Sequence, residues 1–178
     1  MFCDGRSKKI VFIAHCFLNQ NSISDGTAVC PAVCRELVEC LMNADIGMVQ
    51  MPCPELCCLG LDRGNAEGAG SPVVVENTRI RGALKQEKAG QTLTLLAEGV
   101  VRQILEYRRF GFEILGIIGA NRSPSCGVDT TSDHNEEVEG MGLFMEELSR
   151  LLSENLISVP MIGLTGSGPI AEQLRRLI

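Results

Sequence analysis

Three cysteines of this chain stand where an apolar run gives way to polar, turn-forming residues. KIVFIA (9–14) leads into His15-Cys16, IGMVQM (46–51) into Pro52-Cys53-Pro54-Glu55, and FEILGIIG (112–119) into ANRSPSCG, which holds Cys126. Thiols this far apart in sequence meet only if the run ends lie side by side, as the carboxyl ends of parallel strands do in an open α/β sheet, where ligands bind. Zinc usually draws its cysteines from close pairs such as C-x2-C, which this trio lacks. A ferredoxin-type cluster needs four cysteines, mostly in one compact run. Three thiolates on a four-iron cluster would leave one iron without a protein ligand, and an open metal position binds substrate and acts as a Lewis acid. The other reading of the same residues is turn chemistry, with Pro and Ser punctuating strand ends.

The elements that must position these cysteines are legible in the hydrophobic pattern. The three runs and a fourth, SVPMIGL (158–164), are short, β-rich and almost continuously apolar, as parallel strands buried on both faces are. Helical spacing lies between them. Val29, Val33, Leu37 and Leu41 predict a helix over 28–43, with Pro31 in its first turn. Leu93, Leu96, Val100 and Ile104 predict another in 84–109. Met141, Phe144, Leu148, Leu151 and Leu152 mark a third in 136–156, and 169–177 a short fourth. Alternating strands and helices predict an α/β fold, one domain over 1–178 with a mostly parallel sheet of four to five strands. The Gly-rich stretch at about 60–83 is an excursion with one short β-like piece, VVV (73–75). A segment of this kind is a lid, a substrate-binding excursion or a surface loop.

Bulk composition narrows the functional classes. The 178 residues are 45% hydrophobic and 21% charged with net charge −6, as in a soluble globular protein with no basic stripe for nucleic acid. No apolar stretch approaches the roughly 20 residues of a membrane span. The amino-terminal VFIA run is too short for a signal peptide and has Asp4 before it. A cytoplasmic protein, possible as a homodimer, is expected. Nine cysteines in a reducing compartment indicate metal binding, catalysis or plain burial rather than disulfides. Cys30, Cys34 and Cys40 read as buried filler on a helix, with a metal pair at Cys30 and Cys34, one turn apart, as the other reading, while Cys57 or Cys58 could serve as a spare ligand or a resolving thiol.

Three blocks, CFLNQNSISDG (16–26), CPELCCLGLDRG (53–64) and RSPSCG (122–127), together resemble the 2-thiouracil desulfidase (TudS-like) family of iron–sulfur proteins. That family shows a cysteine opening a loop that closes on Asp-Gly, then Cys-Pro-Glu with a glycine-rich turn and an arginine, then Ser-Pro-Ser-Cys-Gly. The resemblance implies a Rossmann-like domain with a [4Fe–4S] cluster on Cys16, Cys53 and Cys126, and hydrolytic removal of sulfur from a small thiolated, thiouracil-like compound. The chain departs from the pattern at Cys58-Leu59-Gly60, where Gly-Gly is usual, and at Asp62-Arg63, where Pro-Arg is usual. Its first loop, with His15 before the cysteine and Asn19-Gln20-Asn21 after it, is also its own.

Roles follow for the polar neighbours. Glu55 is the candidate general base for an attacking water, or else a helix-start acid. Ser123 and Ser125 can hydrogen-bond substrate or cluster sulfide, or stabilise the turn. Asn19, Asp25 and Arg63 are candidate substrate contacts. Asp25 could orient Arg63 or close the loop at Gly26, and Arg63 could hold a carbonyl or an anion. His15 could shuttle protons, but strand alternation would point it away from Cys16. His134 is expected at the surface. GLTGSGP (163–169) is a weak anion-binding signal at the start of the last helix. Two other functions share these residues: a non-catalytic metal- or sulfur-binding and sensing module, and a thiol redox protein using Cys53 with Cys57 or Cys58.

Overall fold

A computed structural model describes residues 2–165 and 169–177, apart from the side chain of Arg176. In chain order its main elements are β1 (Lys9–Ile13), α1 (His15–Leu18), α2 (Arg35–Asn43), β2 (Gly47–Gln50), α3 (Pro54–Leu59), α4 (Val73–Leu84), α5 (Glu87–Arg109), β3 (Glu113–Ala120), β4 (Thr130–Asp133), β5 (Glu136–Glu139), α6 (Leu143–Glu154), β6 (Met161–Leu164) and α7 (Ile170–Gln173). Strands β2-β1-β3-β6 form a parallel sheet in that order. Val11, Phe12 and Ile13 are consecutive and fully buried, which requires cover on both faces of the sheet. Helices supply it: α5 packs on α6 and α3, and α2 packs on α7. The result is a four-stranded parallel α/β fold flanked by helices, consistent with a Rossmann-like one.

The four expected strands all form, but several helix boundaries move. Residues 28–34 are not helical, and α2 starts at Arg35. Their backbone is committed elsewhere: Cys34 N–H donates to Phe17 O at 2.8 Å, and Gln20 N–H to Ala32 O at 2.6 Å. Val29 is left 70% exposed, so its four-residue spacing from Val33 marks no buried stripe. The VVV piece is not β; it opens α4, which buries Ile80 and Leu84 together with Glu76, Asn77 and Arg81. β-branched residues carry only a weak strand bias, which this packing overrides. The chain turns at Lys85-Gln86, so 84–109 spans the end of α4 and all of α5. Residues 136–139 form β5, paired antiparallel to β4 in a separate two-stranded sheet. His134 (φ 52°) and Asn135 (φ 65°) make their hairpin turn, both left-handed as such two-residue turns require. Of 169–177, only Ile170–Gln173 is α-helical, with a 3-10 turn after it. The core of the GLTGSGP motif, 166–168, lies outside the described residues.

Glycines let the cysteine-bearing loop after β3 fold back onto the sheet. A Cβ on Gly119 would overlap the Cys126 carbonyl, and one on Gly142 the Ser125 carbonyl. Gly142→Ala is therefore expected to cost about 1–3 kcal/mol through overpacking. Gly82→Ala, at a helical glycine with nothing within 4 Å of the new methyl, should stabilise by up to about 1 kcal/mol. Urea unfolding midpoints of the two variants read the difference.

Candidate active site at the carboxyl end of the sheet

Cys53, Cys16 and Cys126 follow β2, β1 and β3, which are neighbours in the sheet. The chain runs from β1 outward to β2 and returns to the far side of β1 as β3, so the crevice at β1 and β3 is a topological switch point. Cys16 sits in α1, and Cys53 caps α3 with its Sγ accepting the Leu56 N–H at 3.5 Å. Cys126 lies in the loop beyond β3. All three line one cavity of about 220 Å³. Burial pushes the Cys16 thiol up to about 12, with the charges of Cys53 and Glu55 adding to it. Burial and Glu55 push Cys53 up to about 11. Cys126 is raised well above the ordinary thiol value by burial, then by Cys53 and Cys16. The trio is thus mutually coupled and held neutral by the protein alone. Among the described residues, no group of three His, Cys, Asp or Glu is arranged to hold a metal ion.

Glu55 is the centre of the cavity wall. Its Oε1 accepts from Ser125 Oγ at 2.7 Å and Ser123 Oγ at 3.3 Å. Its Oε2 accepts from Arg63 Nε at 3.1 Å and Ser24 Oγ at 3.3 Å. Glu55 and Arg63 are both buried, so this is an ion pair out of water. Arg63, itself at left-handed φ 57°, spends its other N–H groups on the carbonyls of Gly60 (3.0 Å), Leu61 (2.9 Å) and Ser22 (2.5 Å). The same Nη2 that donates to Ser22 also stands 3.8 Å from Cys53 Sγ. Arg63 therefore binds the protein's own loops, and its charge draws the Cys53 pKa back down.

The 121–130 loop is built to present Cys126. Ser123 Oγ accepts the amides of Ser125 (3.3 Å) and Cys126 (3.0 Å), which makes it the turn-former of the pair. Ser125 Oγ bridges Glu55 and Cys126 Sγ, 3.6 Å away. Behind the loop, the first amides of α6 donate to Pro124 and Ser125 carbonyls. Arg81 of α4 grips Pro124 O (3.3 Å), Thr131 Oγ1 (3.3 Å) and Met141 O (3.2 Å) and pairs with Asp133 and Glu146. Asn121 Oδ1 accepts the amides of Val128 (3.2 Å) and Asp129 (3.0 Å).

The remaining expected residues separate into two groups. His15 lines the cavity beside Cys16, because a helix begins at His15 and strand alternation no longer applies. Desolvation holds its imidazole below the ordinary value. Asp25 does not orient Arg63; it accepts the Gly26 N–H at 2.9 Å, closing the loop there, and borders a smaller adjoining pocket of about 40 Å³. Asn19 caps a 3-10 turn through Asn21 N–H at 3.2 Å and does not line the cavity. Cys57 is exposed and Cys58 donates to Ala89 O at 3.5 Å; neither lines the cavity. Cys30, Cys34 and Cys40 are only partly buried. Of the first-loop residues expected at the pocket, Gln20 lines the cavity, and Asn77 lines it unforeseen. Val73, Asn77 and Arg81 share one helical face at four-residue spacing, a signal hidden by reading 60–83 as an excursion.

Fold and site together define a parallel α/β protein with a thiol-lined cavity at its sheet switch point. Over 142 residues the chain is 27% identical to the uncharacterized protein MJ0003 of Methanocaldococcus jannaschii, a stretch covering 80% of this chain and 76% of that one. No family model matches the chain, and no solved structure matches it. No described helix is long and apolar enough to cross a membrane.

Arg63→Met strands the buried Glu55 carboxylate and should cost about 3–5 kcal/mol, read as a lowered urea midpoint. A second expectation concerns pH in the metal-free protein. Unfolded thiols ionise near 9.0, whereas Cys53 and Cys16 ionise at about 11 and 12. Between those values the unfolded chain holds fewer protons, so stability falls as pH rises from 9 toward 11. A Cys16→Ala, Cys53→Ala double variant should show a shallower fall.

Proposed function

We propose that this protein is a hydrolytic desulfidase for small thiolated compounds, working with a [4Fe–4S] cluster on Cys16, Cys53 and Cys126. The observation that carries the reading is the meeting of three thiols, from three adjacent strand ends, in one cavity that also holds a buried glutamate. The likeness of the three sequence blocks to the TudS-like family supports it. The donor set fits the group: buried thiols that repel one another as thiolates are stabilised by a nearby positive metal charge. The lack of a single-ion triad does not count against a cluster. Thiolates sharing one ion with bonds of about 2.3 Å stand roughly 3.8 Å apart, whereas cluster thiolates bond separate irons and stand further apart. When bound, the cluster would supply a Lewis-acidic iron for the substrate's sulfur.

The chain's own residues supply the rest. Ser125 Oγ, 2.7 Å from Glu55 Oε1, takes a proton from the attacking water while passing its own to the carboxylate. The resulting hydroxide adds to the thiocarbonyl carbon, and sulfur leaves as hydrosulfide, which recovers a proton, so the net change is exchange of C=S for C=O with release of hydrogen sulfide. Ser123 holds the turn, and Arg63 pairs with Glu55 and holds it in place. Apolar Phe17, Ile23 and Leu164 line the same cavity and limit competing water. A reducing cytoplasm suits a chain with this many thiols.

Anaerobic reconstitution with iron and sulfide tests the reading. Wild-type protein should take up four irons with a thiolate-to-iron absorption band and release sulfide from 2-thiouracil. Alanine at Cys16, Cys53 or Cys126 should lose the band, and Glu55→Gln should keep the band while losing at least about 100-fold in sulfide release. A wild-type band without sulfide release from any thiolated pyrimidine would favour the sensing module instead.

A further inference from the structure

Among the described residues, Asn77 is the cavity carboxamide whose acceptor is uncommitted. It is 6% exposed and lines both the main cavity and the small pocket beside it. Its amide orientation is forced by its neighbours. One contact, at 3.3 Å, is the Arg122 backbone carbonyl, which can only accept. The other, at 3.2 Å, is Ser132 Oγ, whose single proton is already given to Arg122 O at 2.7 Å. Both contacts must therefore face the amide nitrogen, and Oδ1 points elsewhere. Among the described residues Oδ1 receives no hydrogen bond, and it is not among the sealed, unpartnered atoms.

The other carboxamides of the wall are committed at both ends. Gln20 gives Nε2 to Cys16 O (2.9 Å) and takes Val29 N–H on Oε1 (3.0 Å). Asn121 takes backbone amides on Oδ1 and gives Nδ2 to Asp129 at 3.0 Å. Both Glu55 oxygens are likewise occupied.

We propose that Asn77 Oδ1 reads the substrate by accepting a hydrogen bond from an N–H beside the thiocarbonyl, so that the site takes N–H-bearing thioamides and thioureas and rejects their N-alkylated forms. This rests on the desulfidase reading for the identity of the reacting group. The physical basis is the asymmetry of buried hydrogen bonds. A ligand that carries the N–H satisfies Oδ1, whereas an N-methyl group leaves it desolvated and unpaired, at a cost of about tenfold or more in affinity. Asn77 is a specificity-determining residue that also braces the Arg122 carbonyl.

The test uses oxygen analogues, whose binding requires neither sulfur nor turnover. Uracil and 1,3-dimethyluracil are titrated calorimetrically into the full chain, purified anaerobically, as wild type, Asn77→Leu and Asn77→Ser. Circular dichroism confirms folding, and the serine variant decides the matter should the leucine variant unfold. Wild type should bind uracil at least about tenfold tighter than the dimethyl compound. In the variants this preference should shrink to within about threefold, through loss of uracil affinity. Equal binding of both by wild type, no uracil binding up to millimolar concentration, or full preference retained in the variants would each overturn the proposal. Failure of the desulfidase reading would show separately, as absent sulfide release in the reconstitution assay.

Discussion

A single buried carboxylate organises this site. An ionised group out of water must be paired and hydrogen-bonded or it is strongly destabilising, and Glu55 meets that demand with donors from separate parts of the chain. Ser24 comes from the loop after β1, Arg63 from the turn after α3, and Ser123 and Ser125 from the loop after β3. Each partner sits close in sequence to a cysteine or to a loop that shapes the cavity. Satisfying one charge therefore draws the three cysteine-bearing segments to a common point.

The same network sets the electrostatics that chemistry would use. Arg63 offsets Glu55 and lies near Cys53, so this thiol has a cation beside it. For Cys16 and Cys126 burial and the neighbouring thiols both raise the pKa. The protein by itself thus keeps its thiols protonated, and a positively charged inorganic group would reverse that balance. The Ser125 hydroxyl between Glu55 and Cys126 Sγ offers one proton to two acceptors, which links the carboxylate to the thiol through one side chain.

Rigid packing behind the cavity completes the arrangement. The RSPSCG loop is clamped by the first amides of α6, by Arg81 of α4 and by the carboxamide of Asn121. Gly119 and Gly142 are required where a backbone carbonyl of that loop lies against them. Such support from behind keeps the cavity face of the loop available for ligand and leaves few ways for Cys126 to move. It also explains why a short two-stranded hairpin, β4–β5, follows at once: Asp133 and Thr131 on it are partners of Arg81.

Periodicity and turn chemistry alone placed the four parallel strands, and with them Cys16, Cys53 and Cys126 at strand ends, because a doubly buried strand must be apolar throughout and stop at polar residues. Glu55, Ser123 and Ser125 were legible through their closeness to those cysteines. The role of Arg63 was not, since nothing local reveals that its donors are consumed by Glu55, by the neighbouring Gly60 and Leu61 carbonyls and by the distant Ser22 carbonyl. His15 was misdirected by strand alternation, which ended one residue earlier than the sequence pattern suggested. Asn77 and Arg81 were hidden in a Gly-rich stretch whose valines resemble a strand, and the second strand of the hairpin was hidden in residues read as the start of a helix. Those outcomes depend on long-range pairing, where burial and hydrogen bonding between distant segments override weak local preference. Only the tertiary structure brings such partners within reach of one another.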